Sequence, residues 1–277
     1  MHGINKIESK PITIEFGENS ITPHDANGTH LSVIAEAFEE LSNSIATSSD
    51  DLRLLPFTDA CSLVSLLFGF LGIAFKFAEL KYVCKERSGT VIEYYLIIPM
   101  IVLDRFLDGP NQSPLKIWAE LAGLPDYTGP LPSLVLVRNL VQASKTYNTL
   151  KNILDYDVEN DTVRKPGSLS RNLRRVRQGL ELIKTLFEQF LSSDECSLRE
   201  AASTAYAQAC APYHTWAIRT AVFAAMYALP TREQLLLKLN ETDSSAEKEM
   251  RRYIKASLPV IEYIDNLYIS RNISLDW

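Results

Sequence analysis

The chain has 277 residues, of which 46% are hydrophobic and 22% are charged, and its formal net charge is −6. This is the composition of a globular protein with a sizeable core. The acidic balance excludes a general nucleic-acid binder, because such proteins need excess basic residues to displace counterions from phosphates. The four cysteines form no Cys-x-x-Cys pair and have no metal-ligand spacing with the four histidines, so no metal or other cofactor is predicted.

Two apolar stretches are candidates for a membrane span, and both are too short. Residues 60–75 are apolar for sixteen residues, and residues 94–103 for ten with a proline among them, whereas a span needs about 20. The first stretch is therefore predicted to be a buried helix. The N-terminus lacks the apolar run of a secretory signal. We expect a cytoplasmic protein that is peripheral at membranes and contacts their surface transiently.

Helical patterns dominate the rest of the chain. Residues 1–29 are polar and irregular and predict a flexible tail. Apolar residues then recur at helical spacing between Leu31 and Ile45, and the apolar stretch at 60–75 forms a second helix. From Leu140 onward helical patterns cover residues 140–159, 170–191, 198–229, 231–239 and 244–272. The predicted fold class is all-α.

Residues 87–139 differ in composition from the rest of the chain, because six of the thirteen prolines fall there. A long helix is excluded by that density. Two origins remain open: a translated intron or gene-model error, or a real surface insertion with a binding role. An insertion can be tolerated since the cost of loop closure grows slowly with length. We predict one domain over residues 30–277 that is interrupted at about 87–139.

The stretch "SRNLRRVRQGLELIKTLFEQFL" begins at Ser170 with four arginines in seven residues. On a helical wheel Arg174 and Arg177 fall away from the apolar stripe, which predicts solvated charges. Arg171 and Arg175 flank that stripe, in a sector that becomes apolar further along the helix. Such a sector could line a groove for a lipid with a phosphate head, which arginine can hold with two parallel hydrogen bonds. The alternative is a solvated face near the start of a surface helix.

Four separated strings carry a family resemblance: "FTDACSLVSLLFGFLGIAFKFAELKYV", "DVENDTVRKPGSLSRNLRRVRQGL", "AYAQACAPYHTWAIRTAVFAAMYALPTR" and "LDW". Together they resemble the glycolipid transfer protein family, most closely its plant accelerated-cell-death branch, over roughly residues 30–86 and 139–277. The resemblance implies a two-layer helical sandwich that encloses one sphingolipid. It also implies a carrier of ceramide-1-phosphate between membranes that performs no covalent chemistry.

Individual site residues follow from the same resemblance. Arg171 and Arg175 match the two arginines that grip the phosphate, and Lys85 matches a lysine near the end of the second helix. His214 matches the histidine that donates to the lipid amide carbonyl. Sugar-selective members carry tryptophan at the position of Arg175, so this arginine implies a phosphate head.

Two positions depart from the family pattern. The aspartate that accepts the lipid amide N–H corresponds to Lys81, which has no acceptor. Lys81 lies one helical turn before Lys85, so it either adds a cation to the head site or points to solvent. The third phosphate-site arginine corresponds to Gln178, which can form hydrogen bonds and carries no charge.

Two functions compete at this point. The first is a non-enzymatic carrier of a phosphorylated sphingolipid. The second is a lipid-sensing or scaffold protein of the same fold whose transfer is impaired by Lys81 and the 87–139 segment. An enzyme is disfavoured, because the sequence offers no nucleophile motif, metal cluster or glycine-rich phosphate loop.

Overall fold

The computed structural model describes residues 28–47, 51–71, 132–193 and 196–277. These ranges contain helices α1 (His30–Thr47), α2 (Leu54–Leu71), α3 (Pro132–Ala143), α4 (Leu150–Glu159), α5 (Leu169–Phe190), α6 (Leu198–Ala209), α7 (Trp216–Ala225), α8 (Arg232–Leu239) and α9 (Asp243–Ile269). Two single-turn 3₁₀ helices, Ala211–Tyr213 and Met226–Ala228, flank α7. No β-strand occurs within the described ranges, so the all-α prediction is confirmed for them.

Local sequence signals start most of the later helices. α4, α6, α8 and α9 each begin with a capping box, in which the N-cap hydroxyl accepts from a backbone N–H three residues later and that residue's side chain accepts from the N-cap N–H. α8 ends at Asn240, which adopts the left-handed conformation with φ 56°. These residues pair the backbone groups that helix ends would otherwise leave unsatisfied.

The helices pack around one apolar core. α1 lies along α9, α5 contacts α3, α6 and α9, and α2 packs against α1 and α3. α2 is long and apolar enough to cross a membrane by length and composition, yet 56% of it is buried inside the protein. The predicted buried helix is therefore confirmed over residues 60–71, and the rest of the 60–75 stretch lies outside the described residues.

Helix α3 starts inside the segment predicted to be an insertion. Its first residue is Pro132, and Val137 and Leu140 are buried in the core. Proline is favourable at the first position of a helix, where its missing N–H would have no partner anyway. Residues 132–139 thus belong to the helical domain. Residues 87–131 of the predicted insertion and residues 1–27 of the predicted tail lie outside the described part of the chain.

Candidate functional site

A buried carboxylate anchors the N-terminal end of α5. Ser168 caps the helix, its hydroxyl accepting from the Arg171 N–H at 3.2 Å. Asp157, at the end of α4, accepts from the buried Ser170 N–H at 2.8 Å and from the Thr162 hydroxyl at 2.6 Å. Negative charge at a helix N-terminus is favourable, so these bonds stabilise the loop between α4 and α5.

The two arginines predicted to grip phosphate lie on α5 one helical turn apart. Arg171 and Arg175 are both half-buried, and neighbours at this spacing lie on the same face of a helix. Arg171 Nη1 donates to the Arg164 carbonyl at 3.0 Å, which holds the loop before α5 against this face. Further along the helix the same sector holds Leu182 and Leu186, which are buried in the core. The predicted change from cationic to apolar is therefore present.

Arg174 contradicts the wheel prediction of a solvated charge. It is only 3% exposed. Its Nη2 donates to the Leu275 carbonyl at 2.6 Å, and its guanidinium carbon lies 4.8 Å from the centroid of the Tyr213 ring. A wheel describes the pattern of one helix, whereas here the last residues of the chain and the 3₁₀ turn before α7 both contact the side chain that the pattern assigns to solvent.

Arg177 also differs from the predicted solvated charge. It is half-buried, and its Nε and Nη2 donate to the Asp265 carboxylate of α9 at 2.7 and 2.5 Å. Glu181, on the same helix as Arg177, places its Oε2 3.5 Å from Arg177 Nη2. A bidentate pair of this kind is directional as well as electrostatic. Arg177 therefore ties α5 to α9.

Gln178, which replaces the family's third arginine, is used in packing. It is buried, and its Nε2 donates to the Ala209 carbonyl at the end of α6 at 3.0 Å. This bond satisfies a carbonyl in the last turn of α6 that has no helical partner. The amide thus links α5 to α6 just before the segment that carries His214.

His214 sits at a break that the sequence pattern did not predict. The predicted helix over 198–229 is divided, because Pro212 cannot continue α6 and the chain forms the 3₁₀ turn Ala211–Tyr213 before α7 begins. His214 itself is extended, with φ −108° and ψ 144°. It is 7% exposed, and its Nδ1 lies 2.8 Å from the Tyr206 hydroxyl.

Contacts of neighbouring residues bring the His214 segment to α5. Arg174 packs on Tyr213, and Gln178 bonds to Ala209, so the stretch from the end of α6 to His214 lies along the same part of α5 that carries Arg175. Lys81 and Lys85 lie outside the described residues. Sequence reasoning missed Asp157, Tyr206 and Arg174, since no local pattern marks residues whose role comes from distant partners.

An exposed aromatic face lies on α7 and the 3₁₀ turn after it. Trp216 is 63% exposed and Tyr227 is 70% exposed, and Phe223 is exposed between them. Arg219 is exposed on the same face, and the Arg199 guanidinium lies 4.5 Å from the centroid of the Tyr227 ring. Large exposed aromatic side chains at helical spacing mark a contact surface rather than a core face.

Neither a reactive thiol nor a metal-binding cluster occurs in the described part of the site. Cys210 is the nearest described thiol in sequence to His214, and burial raises its pKa to about 12 although Arg174 acts in the opposite direction. A thiol with so high a pKa is not a nucleophile at neutral pH. Among the described residues, no group of three or more His, Cys, Asp or Glu side chains could hold a metal ion.

Comparison with known proteins identifies the family. The family model of glycolipid transfer protein matches residues 134–241. The chain is 51% identical over 255 residues to an "ACD11 homolog protein" of Arabidopsis thaliana, covering 90% of this chain and 89% of the relative. It is 38% identical over 248 residues to "Accelerated cell death 11" of the same plant, covering 89% and 96%.

Solved structures agree with this assignment. A mutant of Arabidopsis ACD11 complexed with C12 ceramide-1-phosphate matches with a TM-score of 0.69 and 37% identity, covering 90% of this chain and 100% of that one. Human ceramide-1-phosphate transfer protein, at a TM-score of 0.57 and 17% identity, covers 89% of this chain and shares the fold. The predicted two-layer helical sandwich is thereby confirmed, and the chain belongs to the glycolipid transfer protein family.

Proposed function

We propose that the protein carries ceramide-1-phosphate, or a closely related phosphorylated sphingolipid, between membranes without covalent chemistry. The observation that carries this proposal is the α5 face, where Arg171 and Arg175 lie one turn apart and the same sector continues into buried leucines. A phosphate can take two parallel hydrogen bonds from each guanidinium, and the chains of the lipid need apolar surface. The ACD11 relative complexed with ceramide-1-phosphate supports the same ligand.

The cationic site as proposed consists of Arg171 and Arg175 together with Lys81 and Lys85. His214 is proposed to donate a hydrogen bond to the amide carbonyl of the lipid. Relatives of this chain are named ceramide-1-phosphate transfer proteins, which supports a carrier. The second candidate, a lipid-sensing or scaffold protein with impaired transfer, rests on Lys81 and on the length of chain between α2 and α3. Both candidates share the fold and the headgroup chemistry, so they differ in rate of transfer.

A vesicle assay separates the two functions. Labelled ceramide-1-phosphate in donor vesicles is mixed with unlabelled acceptor vesicles and the protein, and galactosylceramide serves as the comparison lipid. The carrier is expected to move ceramide-1-phosphate in a protein-dependent way and to leave the sugar lipid behind. Tight binding of ceramide-1-phosphate without movement between vesicles would support the scaffold, and movement of galactosylceramide alone would contradict the phosphate site.

We expect the Tyr206 hydroxyl, which lies 2.8 Å from Nδ1 of His214, to set the tautomer of that histidine. A tyrosine hydroxyl that donates to Nδ1 leaves a neutral imidazole with its proton on Nε2, which is then the donor for a lipid amide carbonyl. Tyr206→Phe removes the hydroxyl and keeps the ring. We expect ceramide-1-phosphate affinity to fall by about threefold to tenfold, the effect of one misdirected hydrogen bond.

Two checks accompany the Tyr206→Phe measurement. Tyr156→Phe alters an exposed tyrosine on α4 and should leave the affinity unchanged. The tautomer of His214 can be followed through its ring nitrogen resonances, which should shift in Tyr206→Phe. An unchanged affinity together with an unchanged tautomer would show that the hydroxyl does not orient His214.

The aromatic face of α7 is proposed to contact the membrane surface. Trp216→Ala should slow transfer by roughly fivefold, because an indole ring at the interface contributes both apolar contact and polar anchoring. Binding of a water-soluble short-chain ceramide-1-phosphate should be unaffected. Leu237→Ala on α8 is the control, since Leu237 is an apolar residue on another helix that is even more exposed than Trp216. Equal slowing by both variants would argue against a localised contact face.

Lys81 is expected to weaken discrimination between sphingoid and glycerol backbones. The family aspartate accepts the amide N–H that phosphatidic acid lacks, and losing such a bond costs roughly 1.5–3 kcal/mol, or about ten- to a hundredfold in selectivity. Lys81→Asp should therefore raise the preference for ceramide-1-phosphate in direct competition between the two lipids. Wild-type protein that already rejects phosphatidic acid as strongly as Lys81→Asp would place Lys81 outside the head site.

A further inference from the structure

The last four residues of the sequence contact the Arg171 side of the candidate site through Arg164. Arg164 Nη2 donates to the Ser274 hydroxyl at 2.9 Å, and its guanidinium carbon lies 5.4 Å from the centroid of the Trp277 ring. The backbone carbonyl of Arg164 accepts the hydrogen bond from Arg171 Nη1 at 3.0 Å. Residue Arg164 therefore links residues 274–277, called here the 274–277 segment, to the first phosphate-site arginine.

The same segment contacts the His214 side of the site through Arg174. The Leu275 carbonyl accepts from Arg174 Nη2 at 2.6 Å. The guanidinium carbon of Arg174 also lies 4.8 Å from the centroid of the Tyr213 ring. Tyr213 immediately precedes His214. One short segment thus reaches both the Arg171 side and the His214 side of the site without containing a residue assigned to the ligand.

Burial makes the Arg174 contact consequential. The side chain is 3% exposed, and its Nε has no hydrogen-bond partner among the residues that the structure describes. No carboxylate among the described residues lies within ion-pair distance of it. A buried guanidinium is costly unless hydrogen bonds and aromatic faces compensate for lost water. Loss of the Leu275 carbonyl would favour movement of the guanidinium toward solvent and away from Tyr213.

The charge on the 274–277 segment complements both arginines. The pKa of Asp276 is lowered, first by the hydrogen bond from the Ser274 hydroxyl and further by its own backbone, Arg164 and Arg174. Trp277 Nε1 donates to the Ser274 carbonyl at 2.7 Å, which folds the segment into a turn. The segment is thus an internally bonded unit facing two cations.

We infer that the 274–277 segment positions the headgroup site, holding Arg171 through Arg164 and His214 through Arg174 and Tyr213. This inference rests on the proposed function, because it assigns the segment to the same headgroup. Arg164 and Arg174 are positioning residues, since they act through Arg171 and Tyr213 rather than on the lipid. Disturbing the segment should weaken recognition of the head and leave accommodation of the chains intact.

The experiment compares Trp277→Leu, Arg164→Gln and Arg174→Met with wild type, in the full-length protein. Dissociation constants are measured for ceramide-1-phosphate and for ceramide, which has the same chains without the phosphate. Each variant should bind ceramide-1-phosphate about tenfold more weakly and ceramide within about twofold of wild type, the size expected for one cation–π contact and one hydrogen bond. Arg251→Met, which changes an exposed arginine on α9, should alter neither.

A second readout requires no lipid. The ring resonances of His214 should shift in Trp277→Leu and in Arg174→Met, and Arg174→Lys should restore part of the wild-type spectrum. Trp277 is half-buried at the margin of the core, whereas Arg174 is almost fully buried, so Trp277→Leu is expected to fold even where an Arg174 variant does not. Failure of wild type to bind ceramide-1-phosphate would overturn the proposed function. Unchanged His214 resonances and an unchanged ceramide-1-phosphate affinity in Trp277→Leu and Arg164→Gln would overturn the positioning role alone.

Discussion

Replacing Arg175 with alanine is expected to nearly abolish binding of ceramide-1-phosphate and to leave the fold intact. Arg175 is half-buried beside Arg171 on α5, where water competes poorly for the phosphate. Removing one partner of a desolvated, hydrogen-bonded charge pair costs about 2–4 kcal/mol, which corresponds to roughly 30- to 1,000-fold in Kd. The measurement is ceramide-1-phosphate affinity together with circular dichroism.

The control for Arg175 has to be an arginine outside the site. Arg174, which the helical wheel suggested as a neutral position, does not serve because it is buried against Tyr213 and Leu275. Arg251→Ala does serve, since that side chain is exposed on α9 and pairs only with Glu247 among the described residues. Equal loss of affinity in Arg175→Ala and Arg251→Ala would reject a localised phosphate site on α5.

Replacing Asp157 with alanine is expected to destabilise the fold by several kcal/mol. Its carboxylate accepts from the buried Ser170 N–H and from the Thr162 hydroxyl. The Ser170 N–H would lose its partner, whereas the hydroxyl would keep only the carbonyl of residue 157 at 3.3 Å. An unsatisfied buried donor costs about 1–3 kcal/mol, and the second lost hydrogen bond to a charged acceptor adds to this, so the free energy of unfolding should fall by about 2–4 kcal/mol. The midpoint of thermal unfolding should fall by roughly 5–15 °C for a domain of this size.

Glu159→Ala is the matched control for Asp157→Ala. Glu159 is an exposed carboxylate two residues later, at the end of the same helix. Its replacement should move the unfolding midpoint by no more than about 2 °C, as for most surface substitutions. An equal shift in both variants would mean that the carboxylate of Asp157 contributes only helix-end charge. Ceramide-1-phosphate affinity should also fall in Asp157→Ala, because the loop it anchors contacts Arg171.

Much of the fold was predictable because its signals are local. Helical periodicity predicts α1, the buried α2 and α5 directly, and hydroxyl residues at N-cap positions mark where α6, α8 and α9 begin. The single helical segment predicted over 140–159 is wrong, because α3 ends at Ala143 and α4 begins at Leu150. The same periodicity places Arg171 and Arg175 in one sector. That sector is a property of one helix, so no knowledge of the rest of the chain was required. Family motifs then suggested a phosphate headgroup and a donor role for His214, and the role of His214 stays a prediction.

Proline positions were read less well, since the same residue begins one helix and breaks another. Pro132 starts α3 and was counted among the residues that exclude a helix, whereas Pro212 divides the segment predicted as one helix over 198–229. The difference lies in position within the helix: a missing N–H matters in the interior and not in the first turn. Where a helix begins relative to its proline depends on how that helix packs on its neighbours, as α3 packs on α2 and α5. The local sequence pattern carries no information about this packing.

The sequence by itself determined the all-α class, the family and the shared face of Arg171 and Arg175. Only the tertiary structure decided that Arg174 is buried and that Arg177 pairs with Asp265. It also decided that the 274–277 segment contacts both the Arg171 side and the His214 side of the site. The contact between Arg174 and Leu275 joins residues 101 positions apart. A side chain's own helix predicts which way it points, but its burial depends on the distant segment that folds over it, and periodicity carries no information about that segment.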